Sequence, residues 1–244
     1  MTYGRNDQPR HQHYGGGGRP ESDERNHRTP RHHGQNNGNQ YRRSRPATGP
    51  RFPPRPKPPK TESRIYFIAL LPNAEVGKEI IRLKQEFAEK YEAQRALRVL
   101  PHITIQVPFT ANPELEKSLC PALTTFAASI PPFEIRLHGF GGCSFTRRKV
   151  LYINVEKNEG IVHIHQQMVA FLRKDFGFSH MLARHGFNPH ISLAFRDLSD
   201  AAFNRAMEEY RPRPFDAAFQ VRNLYLLRHT GTSWEILQKC KLGA

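Results

Sequence analysis

The block Pro101-His102-Ile103-Thr104 returns as Pro189-His190-Ile191-Ser192, and the segments around each copy return with it in the same order. Before the first copy, Arg64 to Leu71 is a β-rich apolar run closed by Pro72-Asn73, which reads as a buried strand. Val76, Ile80, Ile81, Leu83, Phe87 and Tyr91 then recur at three- and four-residue steps, an amphipathic helix. The His block sits in a strand over 99–109, followed by a helix over 113–129 with Asn112 as cap and Pro113 in its first turn. Pro132-Phe133-Glu134 opens a further strand. The second pass supplies a strand at Lys149 to Val155, a helix at Ile161 to Phe176, the second His block, and a helix from Leu198 to Tyr210 capped by Ser199 or Asp200. A strand at Pro214-Phe215-Asp216 and a hairpin turning at Thr230-Gly231 complete it. Such a duplication leaves few ways to fold. It predicts an α+β, bilobal architecture: two pseudo-symmetric β-α-β-α-β lobes, each a small sheet backed by helices, around a central cleft.

Composition divides the chain near residue 63. Residues 1–63 hold 13 Lys+Arg against 5 Asp+Glu and contain no Ile, Leu or Val. Such a segment cannot bury enough apolar surface to offset its ordering entropy, so it is expected to be a disordered basic tail rich in Gly, Pro, Arg and His. Residues 64–244 form the expected folded domain. Scattered tyrosines among the tail's arginines suit loose stacking on single-stranded RNA, against a plainer reading as a solubilising extension. Its five histidines lack the fixed spacing of a metal site.

No run approaches the roughly 18 apolar residues of a membrane span, and Met1 to Arg10 lacks the apolar stretch of a secretory signal. Cys120, Cys143 and Cys240 form no CxxC pair, an odd and sparse set that fits a reducing compartment better than a disulfide framework. The expectation is a monomeric, cytoplasmic chain without a metal, a cofactor or a membrane partner.

Residues two apart on a strand project to one face, so His102 pairs with Thr104 and His190 with Ser192. Pseudo-symmetric lobes would set the two pairs facing each other across one cleft. One neutral imidazole can then take a proton from an attacking oxygen while the other, protonated, gives one to the leaving oxygen. The hydroxyls can hold non-bridging phosphate oxygens. This is equipment for phosphodiester chemistry with no metal required. A single His-x-Thr in a strand is commonplace; two at matching places in a repeat are not.

These two blocks resemble the paired His-x-Thr/Ser signatures of the 2H phosphoesterase superfamily, above all its branch of RNA 2′,3′-cyclic phosphodiesterases, also called 2′-5′ RNA ligases. The likeness covers about residues 64–242, including strand order and the strand positions of Tyr66 and Tyr152, and leaves out the tail. It implies a bilobal α/β fold, a central cleft, no metal, and opening of a 2′,3′-cyclic phosphate to a 2′-phosphate on RNA or oligonucleotide ends. By motif match, His102 and His190 become the acid–base pair and Thr104 and Ser192 the phosphate-binding residues. Which histidine is base and which acid stays open. So do a 2′-5′ phosphodiesterase or ligase activity and a non-catalytic RNA-binding role. Some relatives carry an arginine five residues after the second histidine, where this chain has Phe195, with Arg196 one place later. A slip of one residue on a strand reverses the face and counts against that phosphate-contacting role, so Arg196 is kept with Arg184 as a candidate RNA contact.

Arg184 and His185, just before the second block, are candidate RNA contacts at the rim, against a solvated loop. The Arg147-Arg148-Lys149 cluster would matter only if the cleft opens on its side. Phe140 and Phe187 are either base-stacking or core residues. His163 and His165 are two apart on a helix, the wrong spacing for a shared metal face, and read as surface or partly buried. His138 borders a glycine-rich turn that lacks the Lys-Ser/Thr of a phosphate-binding loop.

The tail is not expected to reach a small substrate in a fixed pose. A chain truncated to begin at Glu62 should keep its turnover on a cyclic mononucleotide or dinucleotide. It should bind long single-stranded RNA more weakly than the full chain at about 50 mM salt, the gap closing as salt rises. Equal long-RNA affinities in a filter-binding titration would remove the tail from nucleic-acid binding.

Overall fold

A computed structural model describes residues 62–145, 148–179 and 186–243 of the chain; the tail up to residue 61 lies outside them. The elements run β1 (Arg64–Leu70), α1 (Ala74–Tyr91), a 3-10 turn (Arg95–Arg98), β2 (Ile103–Ala111), α2 (Leu115–Ala128), β3 (Phe133–Phe145), β4 (Arg148–Val155), α3 (Glu159–Phe176), β5 (His190–Phe195), α4 (Asp200–Tyr210), β6 (Asp216–Val221), β7 (Asn223–His229) and β8 (Trp234–Lys241). Three helices start where an Asn or Ser side chain accepts the N–H three residues on: Asn73 from Val76, Asn158 from Ile161, and Ser199 from Ala202. Helix α2 begins two residues later than Pro113 suggests. Asn112 accepts the Glu114 N–H on its side chain and the Leu115 N–H on its carbonyl, so Pro113-Glu114 form a turn ahead of the helix.

The strands form an antiparallel sheet in the order β6-β3-β4-β5-β2-β1-β7-β8. Counting outward from the centre, β5-β4-β3-β6 on one side answers β2-β1-β7-β8 on the other, which is the expected pseudo-symmetry. The two halves meet where Ile103 of β2 faces Ile191 of β5. The two Pro-Phe-acid strands are not each other's counterparts. Strands β3 and β6 lie side by side in one half, Phe133 to His138 running against Val221 to Asp216. The β7–β8 hairpin takes the matching place in the other half. Alternation in a sequence fixes which face of a strand is buried, and says nothing about its neighbour.

The helices pack on one face of the sheet. Tyr66, Ile68 and Leu70 of β1 join Ile80, Leu83 and Phe87 of α1, Leu119 and Leu123 of α2, Ile164 and Met168 of α3, and Phe203 of α4 in a common core. Helix α1 lies against β5 and α3 against β2, so each covers a central strand of the opposite half. Phe67 and Ala69 of β1 point the other way, into a small second cluster with Val99 and Leu227. That opposite face is the one left open. Among the described residues no helix is long and apolar enough to cross a membrane.

Ile103 is fully buried at the junction, whereas Ile65 on the same half is 39% exposed. Ile103→Ala should therefore lower unfolding free energy by about 2–5 kcal/mol, and Ile65→Ala by no more than about 0.5 kcal/mol. Urea titrations of the two variants beside the parent chain check the contrast.

Candidate active site

The junction determines where the His blocks point. Ile103 and Ile191 both drive their side chains into the helix-covered core. Their neighbours at one residue before and one after must then project to the opposite, open face. Because Ile103 and Ile191 are paired across the junction, His102, Thr104, His190 and Ser192 arrive together. All four line one cavity of about 410 Å³. His102 sits just ahead of β2 and His190 is the first residue of β5.

The two imidazoles are held alike. His102 Nδ1 lies 2.8 Å from the Leu100 carbonyl and His190 Nδ1 2.9 Å from the Asn188 carbonyl. A carbonyl oxygen only accepts, so Nδ1 carries the proton in both rings and Nε2 is left with a free lone pair in the neutral form. Each ring is backed by an aromatic from the adjoining strand, Phe67 against His102 and Tyr152 against His190, both at 4.8 Å between centroids. Tyr152 therefore answers to Phe67 and not to Tyr66. Tyr66 faces the core, where its hydroxyl donates to Glu116 at 2.8 Å. Trp234 stands edge-on to Phe67 at 4.6 Å and completes that wall.

Burial pushes the His102 imidazole down to about 4, against the opposing Leu100 hydrogen bond and helped by the charges of Lys84 and His190. Burial likewise lowers His190, the Asn188 carbonyl opposing it. Both rings are thus neutral near pH 7 in the unliganded cleft. Positive charge comes from Lys149 and Arg196, which line the same cavity. The Lys149 ammonium is paired with Asp200 at the start of α4. Arg196 lies past the end of β5 with φ of 70°, its N–H on the Lys149 carbonyl. A left-handed residue breaks strand alternation, so the one-residue offset does not turn Arg196 out of the cleft.

The other candidates separate cleanly. Phe140 packs on Tyr210 and Phe215 in the core. Phe187 lines the cavity and also stacks on buried His165 at 3.8 Å. His163 and His138 are exposed, and neither lines the cavity. Arg184, His185 and Arg147 lie outside the described residues. Among the described residues no three His, Cys, Asp or Glu side chains cluster as a metal site. Sequence reading passed over Phe67 and Trp234. Phe67 was in principle legible, since its alternation partner Tyr66 cannot share its face; Trp234 reaches the cleft only through the turn of the hairpin.

The arrangement is two neutral imidazoles with free Nε2 atoms, two hydroxyls and two cations around one apolar-walled cavity. Comparison with known proteins places it. The sequence pattern of the 2′-5′ RNA ligase superfamily matches residues 72–233. A Geobacillus kaustophilus protein whose name assigns it provisionally to the phosphoesterases is 29% identical over 182 residues, spanning 73% of this chain and 96% of its own. A Geobacillus thermodenitrificans protein so named is 30% identical over 141 residues, 57% of this chain and 72% of its own. Two solved structures share the fold. A Thermus thermophilus protein superposes with a TM-score of 0.55 at 21% identity, over 73% of this chain and 97% of its own. Escherichia coli LigT, crystallised with 3′-AMP, gives 0.54 at 19% identity, over 75% of this chain and all of its own. With a family pattern that runs through both His blocks and a LigT-like fold around them, the chain belongs to the 2′-5′ RNA ligase superfamily, the 2H phosphoesterases.

Proposed function

We propose that this cleft hydrolyses the 2′,3′-cyclic phosphate at RNA or oligonucleotide ends to a 2′-phosphate, with the two histidines as acid and base. The observation that carries the reading is the matched tether of the rings: each Nδ1 is tied to a carbonyl two residues back, leaving both Nε2 atoms available for proton transfer. The balance is simple. One neutral imidazole takes a proton from water as the water oxygen bonds to phosphorus. The bond from phosphorus to O3′ breaks, and the second ring, protonated, gives its proton to that oxygen. Thr104 and Ser192 donate to the non-bridging oxygens, and Arg196 and Lys149 lower the cost of the charge gathering there. The two imidazoles supply both proton transfers, so the scheme needs no metal ion.

RNA ends are favoured by the walls. Trp234 on one side and Phe187 on the other flank the polar centre with aromatic faces suited to a base, and the cavity's 410 Å³ lies in the range of small-ligand sites. LigT crystallised with 3′-AMP lends weight to a nucleotide ligand in this fold.

Turnover of a 2′,3′-cyclic dinucleotide in excess EDTA is the direct test; a purified, folded chain that binds RNA but leaves every cyclic phosphate intact would be a binding protein. His102→Ala and His190→Ala should each lower kcat by about 10²–10⁴-fold. Thr104→Ala and Ser192→Ala should cost about 10–100-fold, the share of one hydrogen bond to a charged group. A hydroxyl variant as dead as the histidine variants would instead indicate a nucleophilic Ser or Thr.

The pH dependence follows from the direction of the histidine shifts. The free enzyme needs one ring neutral and one protonated. Both rings are lowered from 6.5, so the singly protonated pair thins out as pH rises above about 6.5 and the base is lost as pH falls through about 4. The bell of kcat/KM should centre between those limits, on the acid side of an ordinary imidazole pair. An optimum at pH 8 in initial-rate measurements would contradict neutral, partly buried histidines.

A further inference from the structure

A second cavity, of about 180 Å³, opens beside the catalytic one, between helix α1, the 3-10 turn with the residues that follow it, and the start of β8. Val99 and Trp234 line both cavities, so the two are neighbours along one wall. The smaller one gathers apolar surface that the fold leaves uncovered. Of the five large hydrophobic side chains exposed among the described residues, three line it: Ile81 at 37%, Leu97 at 44% and Leu100 at 40%. Apolar residues scattered singly over a surface mean nothing, but a group of them gathered at a concavity marks a binding site. A hydrogen bond holds the walls at a fixed spacing: Ser233 Oγ, next to Trp234, donates to the Arg98 carbonyl at 2.9 Å. Charge at this cavity has one sign. Lys84 of α1 lines it and is only 2% exposed. Its Nζ donates to the carbonyls of Ala96 at 3.1 Å and Val99 at 3.0 Å. An ammonium has three protons, and the third meets no acceptor among the described residues. Arg98 adds a guanidinium, and no described carboxylate lines the cavity.

We infer that the small cavity is a subsite for the base of the second nucleotide of an RNA end, and that it selects guanine. The inference rests on the reading of the cleft as a site for RNA ends and extends it by one nucleotide. Size supplies the first step. The catalytic cavity, at about 410 Å³, falls in the range of about 300–1,000 Å³ that whole small ligands occupy, and the small one falls below it. It therefore takes a base and leaves the ribose and phosphate outside. Continuity supplies the second. One molecule that fills both cavities must pass along Val99 and Trp234, and an RNA end does so in the step from its last nucleotide to the one before. Trp234 offers that base a stacking face, and the exposed leucines and Ile81 offer apolar walls. The choice of base follows from the donors. An ammonium and a guanidinium only donate, and guanine presents two adjacent acceptors, O6 and N7, whereas adenine sets its N6 amino group beside N7. These edges are free in single-stranded RNA.

Trp234 is the only tryptophan in the chain, so its fluorescence reports binding at the wall the two cavities share. The test titrates the full chain with uridine 2′-phosphate and with the dinucleotides GpU and ApU, each ending in a 2′-phosphate. GpU should bind about tenfold or more tightly than uridine 2′-phosphate, and about fivefold or more tightly than ApU. Leu97→Glu, which sets a carboxylate on the exposed wall, should erase most of the gain of the dinucleotide over the mononucleotide. Lys84→Met keeps the apolar bulk of the stem and should bring GpU and ApU within about twofold of each other. Equal affinities of the parent chain for GpU and uridine 2′-phosphate would overturn the subsite, and equal affinities for GpU and ApU would overturn the selection of guanine. Should Lys84→Met fail to fold, the parent chain and Leu97→Glu, a change at an exposed position, still decide. None of these ligands needs to be turned over, so the outcome stands apart from hydrolysis. A chain that ranks the three ligands as expected but leaves every cyclic phosphate intact would sink the proposed reaction and keep the subsite, whereas one that opens cyclic phosphates but binds the three ligands equally would do the reverse.

Discussion

The contact between Ile103 and Ile191 is the constraint on which the rest of the site depends. Two half-sheets with separate hydrogen-bond ladders touch there, and both side chains are withdrawn completely into the helix-covered core. Strand alternation then leaves the flanking residues no choice of face. Had either strand slipped by one residue, its histidine and hydroxyl would turn into the core and its isoleucine into the cleft. Burial of two isoleucines, a hydrophobic matter, thus sets the register of two imidazoles. Helices α1 and α3 reinforce it by each lying over the central strand of the opposite half, so that neither half can rotate without uncovering core.

The electrostatics run opposite to what a basic chain suggests. With a formal net charge of +15 the protein could have met an anion with protonated histidines, yet the site keeps both rings neutral by withdrawing them from water against Phe67 and Tyr152. Fixed charge is left to Arg196 and to Lys149, whose pairing with Asp200 holds it at the wall. A phosphodiester entering such a cleft brings its own negative charge, which favours the proton on a nearby ring. Under the proposed chemistry the substrate itself would therefore help to make the acid.

Much of this was legible in the sequence because duplication and alternation are local. The His blocks, the helices of the repeat and the Ser199 cap follow from residues a few positions apart, and the structure has them within a few residues of where spacing put them. What escaped is non-local. Strand β3 pairs with β6 although both begin Pro-Phe-acid, since pairing is decided by partners the pattern does not name. Arg196 reaches the cleft through a left-handed residue that strand reasoning does not allow for. Lys84 looks like a surface lysine until the carbonyls of Ala96 and Val99 are seen beneath it. Tyr66 and Phe67 show the same limit, because neighbours in sequence sit on opposite faces and only packing tells which of them backs the cleft.

A symmetric scaffold poses a problem for acid–base chemistry, which needs two histidines in different protonation states. Equal tethers on equal strands would give equal rings. The chain departs from symmetry in what supports each tether. Ahead of His102, the Leu100 carbonyl follows backbone that the buried Lys84 ammonium holds at Ala96 and Val99. Ahead of His190, the carbonyl belongs to Asn188, and the neutral Tyr152 ring backs the imidazole. Phe67 holds the matching position in the first half, and the backbone ahead of its histidine is supported from helix α1. The backbone keeps the symmetry that brings two Nε2 atoms to one cavity, and the supporting side chains break it.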